Sequence, residues 1–339
     1  MVHTSLVTRD RKTAVLRKGT FGCLSGIPTI NVTQGCMLGC VYCYARGYPG
    51  LPNPDTVILF SNLVSRLPGE LDQKRKPISF VLFNTASDSF QPHPDILDTS
   101  IRLMEILLER SIGIQFLTKG VIPNRFFDLV NNSPHHARLI SARIGMVSLS
   151  NDYQKTFEPR AATPSMRLRN IERLIDAGVH TEVRIDPVIP FVTDDTEDFN
   201  RLFGELSARG VTRASISALH LRPAIHRQLV QKLPPISARL IETLFAGSDW
   251  RTVGSSTRSK LVATAVRKKI YERAKEIAGR YGITLTICAC KNPDLPGEAC
   301  TELPSLQTNR GTELLQMSLP LGGIAAWSKD KEHKGAVLR

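Results

Sequence analysis

Residues 36–44 read Cys36-Met37-Leu38-Gly39-Cys40-Val41-Tyr42-Cys43-Tyr44. Three thiols fall within eight residues at the spacing C-x3-C-x2-C, just after a β-like run at 29–33 that Gln34-Gly35 ends. Thiolates packed this closely wrap one metal centre. A structural zinc site normally takes four ligands. Three cysteines on a single loop instead suit an iron–sulfur cube with one iron left open to a substrate or cofactor.

Outward from this loop, one unit recurs: an amphipathic helix, a turn and an apolar strand. Leu97, Ile101, Met104 and Leu108 give residues 95–110 a helical face, and 112–117 follows as a strand. Residues 165–177 are predicted helical up to Gly178, with a strand at 181–185. Residues 196–209 are predicted helical up to Gly210, with a strand at 214–218. Glycine at these ends supplies the left-handed position that closes a helix. Further strands are expected at 78–83 and 140–149. Alternation of this kind implies a parallel sheet with right-handed crossovers. The fold class expected is α/β, a partial barrel of six β/α units followed by a helical, cysteine-containing extension. In such sheets ligands bind at the carboxyl ends of the strands.

The expected organisation is a basic arm at 1–26, the partial barrel at 27–225, an extension at 226–302 and a tail at 303–339. The extension carries a basic helix over 256–281 and a strand at 283–287. The 339 residues are 42% hydrophobic, enough for a full core. No apolar run is long enough for a membrane span, and no secretory h-region is visible, so a cytoplasmic location is expected. Lys and Arg outnumber Asp and Glu by 44 to 31, a net charge of +13 that favours polyanionic partners such as nucleic acid. Two patches concentrate it: residues 9–18, and residues 251–280 with Lys260, Arg267, Lys268 and Lys269. With only 6% aromatics, no base-stacking platform stands out.

Cys36, Cys40, Tyr42 and Cys43 match the C-x3-C-x-aromatic-C signature, and here the chain resembles the radical S-adenosylmethionine enzymes. The resemblance implies a 4Fe–4S cluster on Cys36, Cys40 and Cys43, with S-adenosylmethionine chelated to the open iron. It further implies reductive cleavage to a 5′-deoxyadenosyl radical that abstracts a substrate hydrogen, with an electron donor such as flavodoxin or ferredoxin. Closer similarity is to the spore photoproduct lyase and DNA repair photolyase-like family, through Met37 and Tyr44 of the loop. It extends to Asn84-Thr85-Ala86-Ser87-Asp88, Phe116-Leu117-Thr118-Lys119, Val147-Ser148-Leu149-Ser150, Glu158-Pro159-Arg160-Ala161 and Asp186-Pro187-Val188-Ile189-Pro190. It covers roughly 28–220, with a weaker echo at 280–300.

Carried over by position, Ser87, Lys119, Ser148 and Asp186 are the implied cofactor contacts. Arg160 and Arg167 are further anion-binding candidates. Hydroxyls suit an amino group and a ribose, and a lysine suits a carboxylate. One position departs from the family. Where the spore lyase has the cysteine that returns a hydrogen atom to the product radical, this chain has Thr85, whose O–H bond is far too strong for that task. Tyr42 and Tyr44 are the leading remaining candidate donors, with Cys23 a further one, although a lone cysteine is more often an inert buried residue.

A second group, Cys288, Cys290 and Cys300, has the spacing C-x-C-x9-C, which leaves Cys23 over from the seven cysteines. An auxiliary iron–sulfur cluster and a zinc site are both open for it, with Asp294 a candidate fourth ligand. The leading expectation is a radical enzyme acting on nucleic acid, in the manner of a DNA lesion lyase. Radical modification of a peptide or small molecule is the alternative. A metal-containing nucleic-acid-binding protein is the non-enzymatic one.

Overall fold

A computed structural model describes residues 4–19, 22–48, 50–53, 55–253 and 257–298. Cys300 and the tail from 303 lie outside the described residues.

The central sheet has eight strands. Their order is Thr284–Ile287, Arg213–Ala218, His180–Val188, Ile140–Gly145, Gly113–Thr118, Phe80–Phe83, Pro28–Ile30 and Arg17–Lys18. Every pair is parallel except the last, in which Arg17–Lys18 runs against Pro28–Ile30. A parallel sheet covered on both faces needs strands that are apolar on both sides. All four residues of Phe80–Phe83 and all six of Ile140–Gly145 are buried accordingly.

The covering helices follow the expected alternation. Pro94–Glu109 starts on a proline, where a missing N–H costs nothing, and turns Ile96, Ile101, Leu103, Met104, Leu107 and Leu108 inward. Thr196–Ser207 is capped by the Asp195 carboxylate, which accepts from the N–H groups of Glu197 and Asp198. Pro164–Asp176 is capped by Thr163 in the same way, and Gly178 and Gly210 take the left-handed conformation after their helices.

Three expectations change. The run expected as one strand at 29–33 is split: Pro28–Ile30 stays in the main sheet and Thr33–Gln34 joins a second one. Asn84 makes the switch possible, because its side-chain oxygen takes the Val32 N–H at 2.8 Å. The stretch expected as an aperiodic basic arm contains Ser5–Arg9, a strand parallel to Thr56–Phe60. Its Arg11 is buried, donates to the Asn31 carbonyl at 3.0 Å and stacks 4.8 Å from the Phe60 ring. The helix expected over 256–281 begins only at Thr264. Residues Thr257–Leu261 form a strand antiparallel to both Arg251–Val253 and His220–Leu221. The local sequence alternates, with Arg258 exposed and Ser259 and Leu261 buried. No helix among the described residues is long and apolar enough to cross a membrane.

Candidate active site

The cysteine loop leaves Thr33–Gln34 through Gly35, which takes the left-handed conformation, and ends in the 3-10 turn Tyr44–Gly47. Its apolar residues anchor it: Met37, Leu38, Val41 and Tyr42 are buried, while Cys36, Cys40 and Cys43 are half-buried. Backbone groups are tied down as well. The Met37 N–H donates to the Gln91 side chain at 2.7 Å, Val41 to the Phe157 carbonyl at 2.9 Å, and Arg160 to the Leu38 carbonyl at 3.2 Å. Gln228 donates to the Cys43 carbonyl at 3.3 Å. Gly39 has φ +68°, and a Cβ there would meet the Arg160 guanidinium at 2.9 Å.

Burial pushes the Cys36 and Cys40 thiols well up, so as bare thiols they resist ionisation. Bound iron removes that obstacle. The guanidinium of Arg46 donates through Nη2 to the Cys36 carbonyl at 3.0 Å, while its buried Nη1 meets no acceptor among the described residues. Three accessible thiols with an orphaned donor beside them fit an iron–sulfur cluster whose sulfides accept hydrogen bonds. Among the described residues, no three His, Cys, Asp or Glu side chains converge as they would on a single ion. A cluster spreads its thiolates over separate irons and does not ask them to converge.

The other candidates stand at the carboxyl ends of successive strands. Ser87 follows Phe80–Phe83 and donates to Asn84 Oδ1 at 3.2 Å. Lys119 follows Gly113–Thr118. Ser148 follows Ile140–Gly145 and accepts from the Ser150 N–H at 3.1 Å. Asp186 lies in His180–Val188. Its carboxylate accepts from Lys291 at 2.6 Å and Arg184 at 2.9 Å. Burial alone would raise its pKa, but these two cations hold it well below the usual carboxylate range. Lys119, implied as a partner for the cofactor's carboxylate, pairs with Glu158 at 3.1 Å and donates to the Asp186 carbonyl at 3.3 Å. Arg160 bonds the Thr4 hydroxyl and braces Gly39.

Glu158 holds this arrangement together. It is 1% exposed and accepts from Lys119, from Arg167 and from the Tyr42 hydroxyl. Burial would raise its pKa. Lys119 and Arg167, helped by Tyr42, outweigh that and hold it at about 2. Arg167, an anion-binding candidate from sequence, is buried and committed to Glu158 and to the carbonyls of Ala162 and Gly145. The Glu-Pro-Arg-Ala motif was visible in the sequence, but nothing there showed that the glutamate faces Tyr42 across 116 residues.

Tyr42 is buried with its hydroxyl on Glu158. Tyr44 is half-buried and donates to the Thr85 carbonyl at 2.7 Å, with the Arg222 and Lys291 cations 5.5 and 5.9 Å from its ring. His220 was missed from sequence. It is 8% exposed, and its Nε2 has no partner among the described residues. Burial and the nearby Lys291 charge push its pKa down to about 3, so the imidazole is neutral.

Of the second cysteine group, Cys288 is buried and its Sγ lies 3.2 Å from that of Cys290. Asp294, the candidate fourth ligand, accepts through Oδ2 from Arg267 and Thr264, each at 2.6 Å. Arg267, expected on a phosphate-binding face, is fully buried, donating to Asn292, Asp294 and the Val262 carbonyl. Its neighbour Lys268 is exposed, 3.8 Å from Glu272.

A model of the Radical SAM superfamily matches residues 30–203. An uncharacterized protein of Mycobacterium tuberculosis is 26% identical over 201 residues, which are 57% of this chain and 59% of that protein. A radical SAM Nalpha-GlyT isomerase of Pseudomonas phage M6 is 23% identical over 259 residues, 75% of this chain and 51% of that one. The chain thus spans between half and three fifths of the length of these relatives. Among solved structures, a variant of spore photoproduct lyase with bound AdoMet and dinucleoside spore photoproduct superposes with a TM-score of 0.65. It has 16% sequence identity, and the match covers 83% of this chain and 81% of that one. At that identity the likeness establishes the fold.

Proposed function

The chain belongs to the radical SAM superfamily, and from that premise we propose that it takes a hydrogen atom from a nucleic-acid substrate in a lyase-like reaction. The observation that carries this reading is the placement of Cys36, Cys40 and Cys43 beside the carboxyl ends of a parallel sheet that Ser87, Lys119, Ser148 and Asp186 also border. Cys36, Cys40 and Cys43 would hold a 4Fe–4S cluster there, and with S-adenosylmethionine it would supply one-electron radical chemistry.

The protein's own part is placement and charge. Ser87 and Ser148 offer hydroxyls to the cofactor's polar groups. Glu158 anchors Tyr42 and Lys119, so the loop enters the site in one orientation. Tyr44, half-buried at the Thr85 position, is the hydrogen-atom donor we favour, while Tyr42 is enclosed and its proton is held by Glu158. The neutral His220 offers an uncharged donor or acceptor.

For the substrate, the excess of 44 basic over 31 acidic residues supports a polyanion. The neighbouring lyase binds a dinucleoside. The alternative substrate class, a peptide or small molecule, draws on the cysteine turn at 288–290. The test is anaerobic turnover with reductant, S-adenosylmethionine and deuterium-labelled candidates, following label into 5′-deoxyadenosine. Label arriving from damaged or modified oligonucleotides supports the nucleic-acid reading, with binding that weakens steeply in salt. Label arriving only from peptides, with salt-insensitive oligonucleotide binding, overturns it.

A further inference from the structure

The strand His180–Val188 leads from its carboxyl end through Ile189 and Pro190 to Phe191. Phe191 is 84% exposed, and no other large apolar side chain among the described residues is as open to solvent. Val192 beside it is exposed as well. The backbone of Phe191 has φ +63°. Besides glycines, only Asn84 and Ser111 share that sign among the described residues, and both are small and polar. Asparagine enters the left-handed region readily, whereas the Cβ of a bulky residue crowds the following carbonyl there.

The turn that holds this conformation is closely bonded. The Phe191 N–H donates to Asp194 Oδ1, and the Ile189 N–H to the Thr193 hydroxyl at 2.8 Å. Val192 and Thr193 both donate to the Ile189 carbonyl at 3.0 Å. Thr193 and Asp194 are buried, and Asp194 pairs at 3.1 Å with Arg273 of the helix Thr264–Arg280. A relaxed turn would place glycine at 191 and keep apolar groups inside. Here a strained backbone and an exposed ring are both fixed by their surroundings, as happens where a side chain is held out for a partner.

Position and charge narrow that partner. Five residues separate Phe191 from Asp186, at most about 18 Å of chain, so the ring stands on the carboxyl-end rim of the sheet. The carboxylates that follow are engaged: Asp194 with Arg273, Asp195 with the N–H groups of Glu197 and Asp198, and Asp198 with Arg201. The chain as a whole carries +13. Phosphate contacts and a displayed aromatic ring are the two elements that bind single-stranded nucleic acid. We propose that Phe191 is a stacking platform for an unpaired nucleobase flanking the reacting nucleotide, which rests on the nucleic-acid function proposed above. The ring adds affinity that is independent of charge and fixes the register of the strand at the rim. At 6% aromatics the sequence shows no such platform, but one ring suffices where the backbone holds it outward.

Fluorescence anisotropy of the full chain separates stacking from charge, using a labelled single-stranded oligonucleotide and an abasic phosphodiester strand of the same length. The unaltered chain is expected to bind the base-bearing strand more tightly. Phe191→Ala should weaken that binding about tenfold and leave the abasic strand and the salt slope unchanged. Phe191→Trp should restore it. Phe191→Gly removes the ring and the backbone strain together, so it should weaken binding like Phe191→Ala while its thermal midpoint stays level or rises, which rules out misfolding as the cause. The platform is overturned, with the nucleic-acid reading intact, if the unaltered chain binds both strands equally or if Phe191→Ala binds the base-bearing strand as the unaltered chain does. If the unaltered chain binds neither strand, the nucleic-acid reading itself fails and the platform falls with it. Deuterium transfer from a peptide that drops on Phe191→Ala overturns the platform in favour of a peptide partner.

Discussion

The two cysteine-bearing regions of this molecule are built in opposite ways. The loop at 36–43 carries all its thiols on one short stretch and is positioned by the rest of the protein, through Gln91, Phe157, Arg160 and the buried Glu158 beneath it. The turn at 288–290 carries two thiols and acquires its surroundings where other segments converge: Gly22 from beyond one edge of the sheet, Glu298 from the chain that folds back, and Arg184 from two strands away. A site contained in one segment tolerates a chain that moves around it. A site shared between segments exists only if the fold closes.

That contrast can be broken most directly at the loop. Cys36→Ala, Cys40→Ala and Cys43→Ala should each abolish 5′-deoxyadenosine formation, measured by chromatography after anaerobic incubation. Cys288→Ser should leave uncoupled formation in place while lowering the thermal midpoint. If Cys288→Ser alone abolishes cofactor cleavage, the two regions are not separable.

The next largest effect is expected at Glu158. Glu158→Ala leaves Arg167 buried without its carboxylate, which should cost about 3–5 kcal/mol in a urea melt. Glu158→Gln keeps the shape and should recover part of that. A loss under about 1 kcal/mol on Glu158→Ala would show that the loop is not anchored there.

A smaller, pH-dependent effect belongs to His220. Its folded pKa is about 3, against 6.5 for an ordinary histidine. The unfolded chain therefore takes up a proton below about pH 6.5 that the folded chain refuses until about pH 3, and stability falls as pH drops through that window. His220→Asn should remove about 2 kcal/mol of acid sensitivity at pH 5, seen as a flatter dependence of the unfolding midpoint between pH 6.5 and 5. The smallest effect is expected at Lys268, whose pair with Glu272 is exposed. Lys268→Ala should shift stability by less than about 0.5 kcal/mol. On a nucleic-acid-binding face it would also lower the salt slope of binding by about one.

Much of the architecture was legible because parallel α/β units write themselves in period and punctuation. The helices at 94–109, 164–176 and 196–207 lie within two residues of expectation, and Gly178 and Gly210 stop theirs as the left-handed conformation requires. The antiparallel strand at 257–261 was misread as helix because its five residues adjoin a long helical pattern, and its partners at 251–253 and 220–221 are what hold it extended. Arg167, an anion-binding candidate by sequence, and Arg267, one of a basic patch, are both buried and paired, because charge in a sequence says nothing of a buried partner. Glu158 and the Asn292–Asp294 pair supply those partners from elsewhere in the chain.

Sequence by itself determined the chemistry-bearing loop, since three thiols at C-x3-C-x2-C need no distant residue to define their spacing. It likewise determined the helices at 94–109, 164–176 and 196–207 and the strands that follow them, since hydrophobic period is a local property. Only the tertiary structure decided which groups are neutralised, which are enclosed and which segments meet. Glu158 reaches Tyr42 across 116 residues, and Cys290 reaches Gly22 across nearly the whole described chain. Both contacts join segments far apart in the chain through the packing of the whole sheet and its loops, which no local pattern encodes.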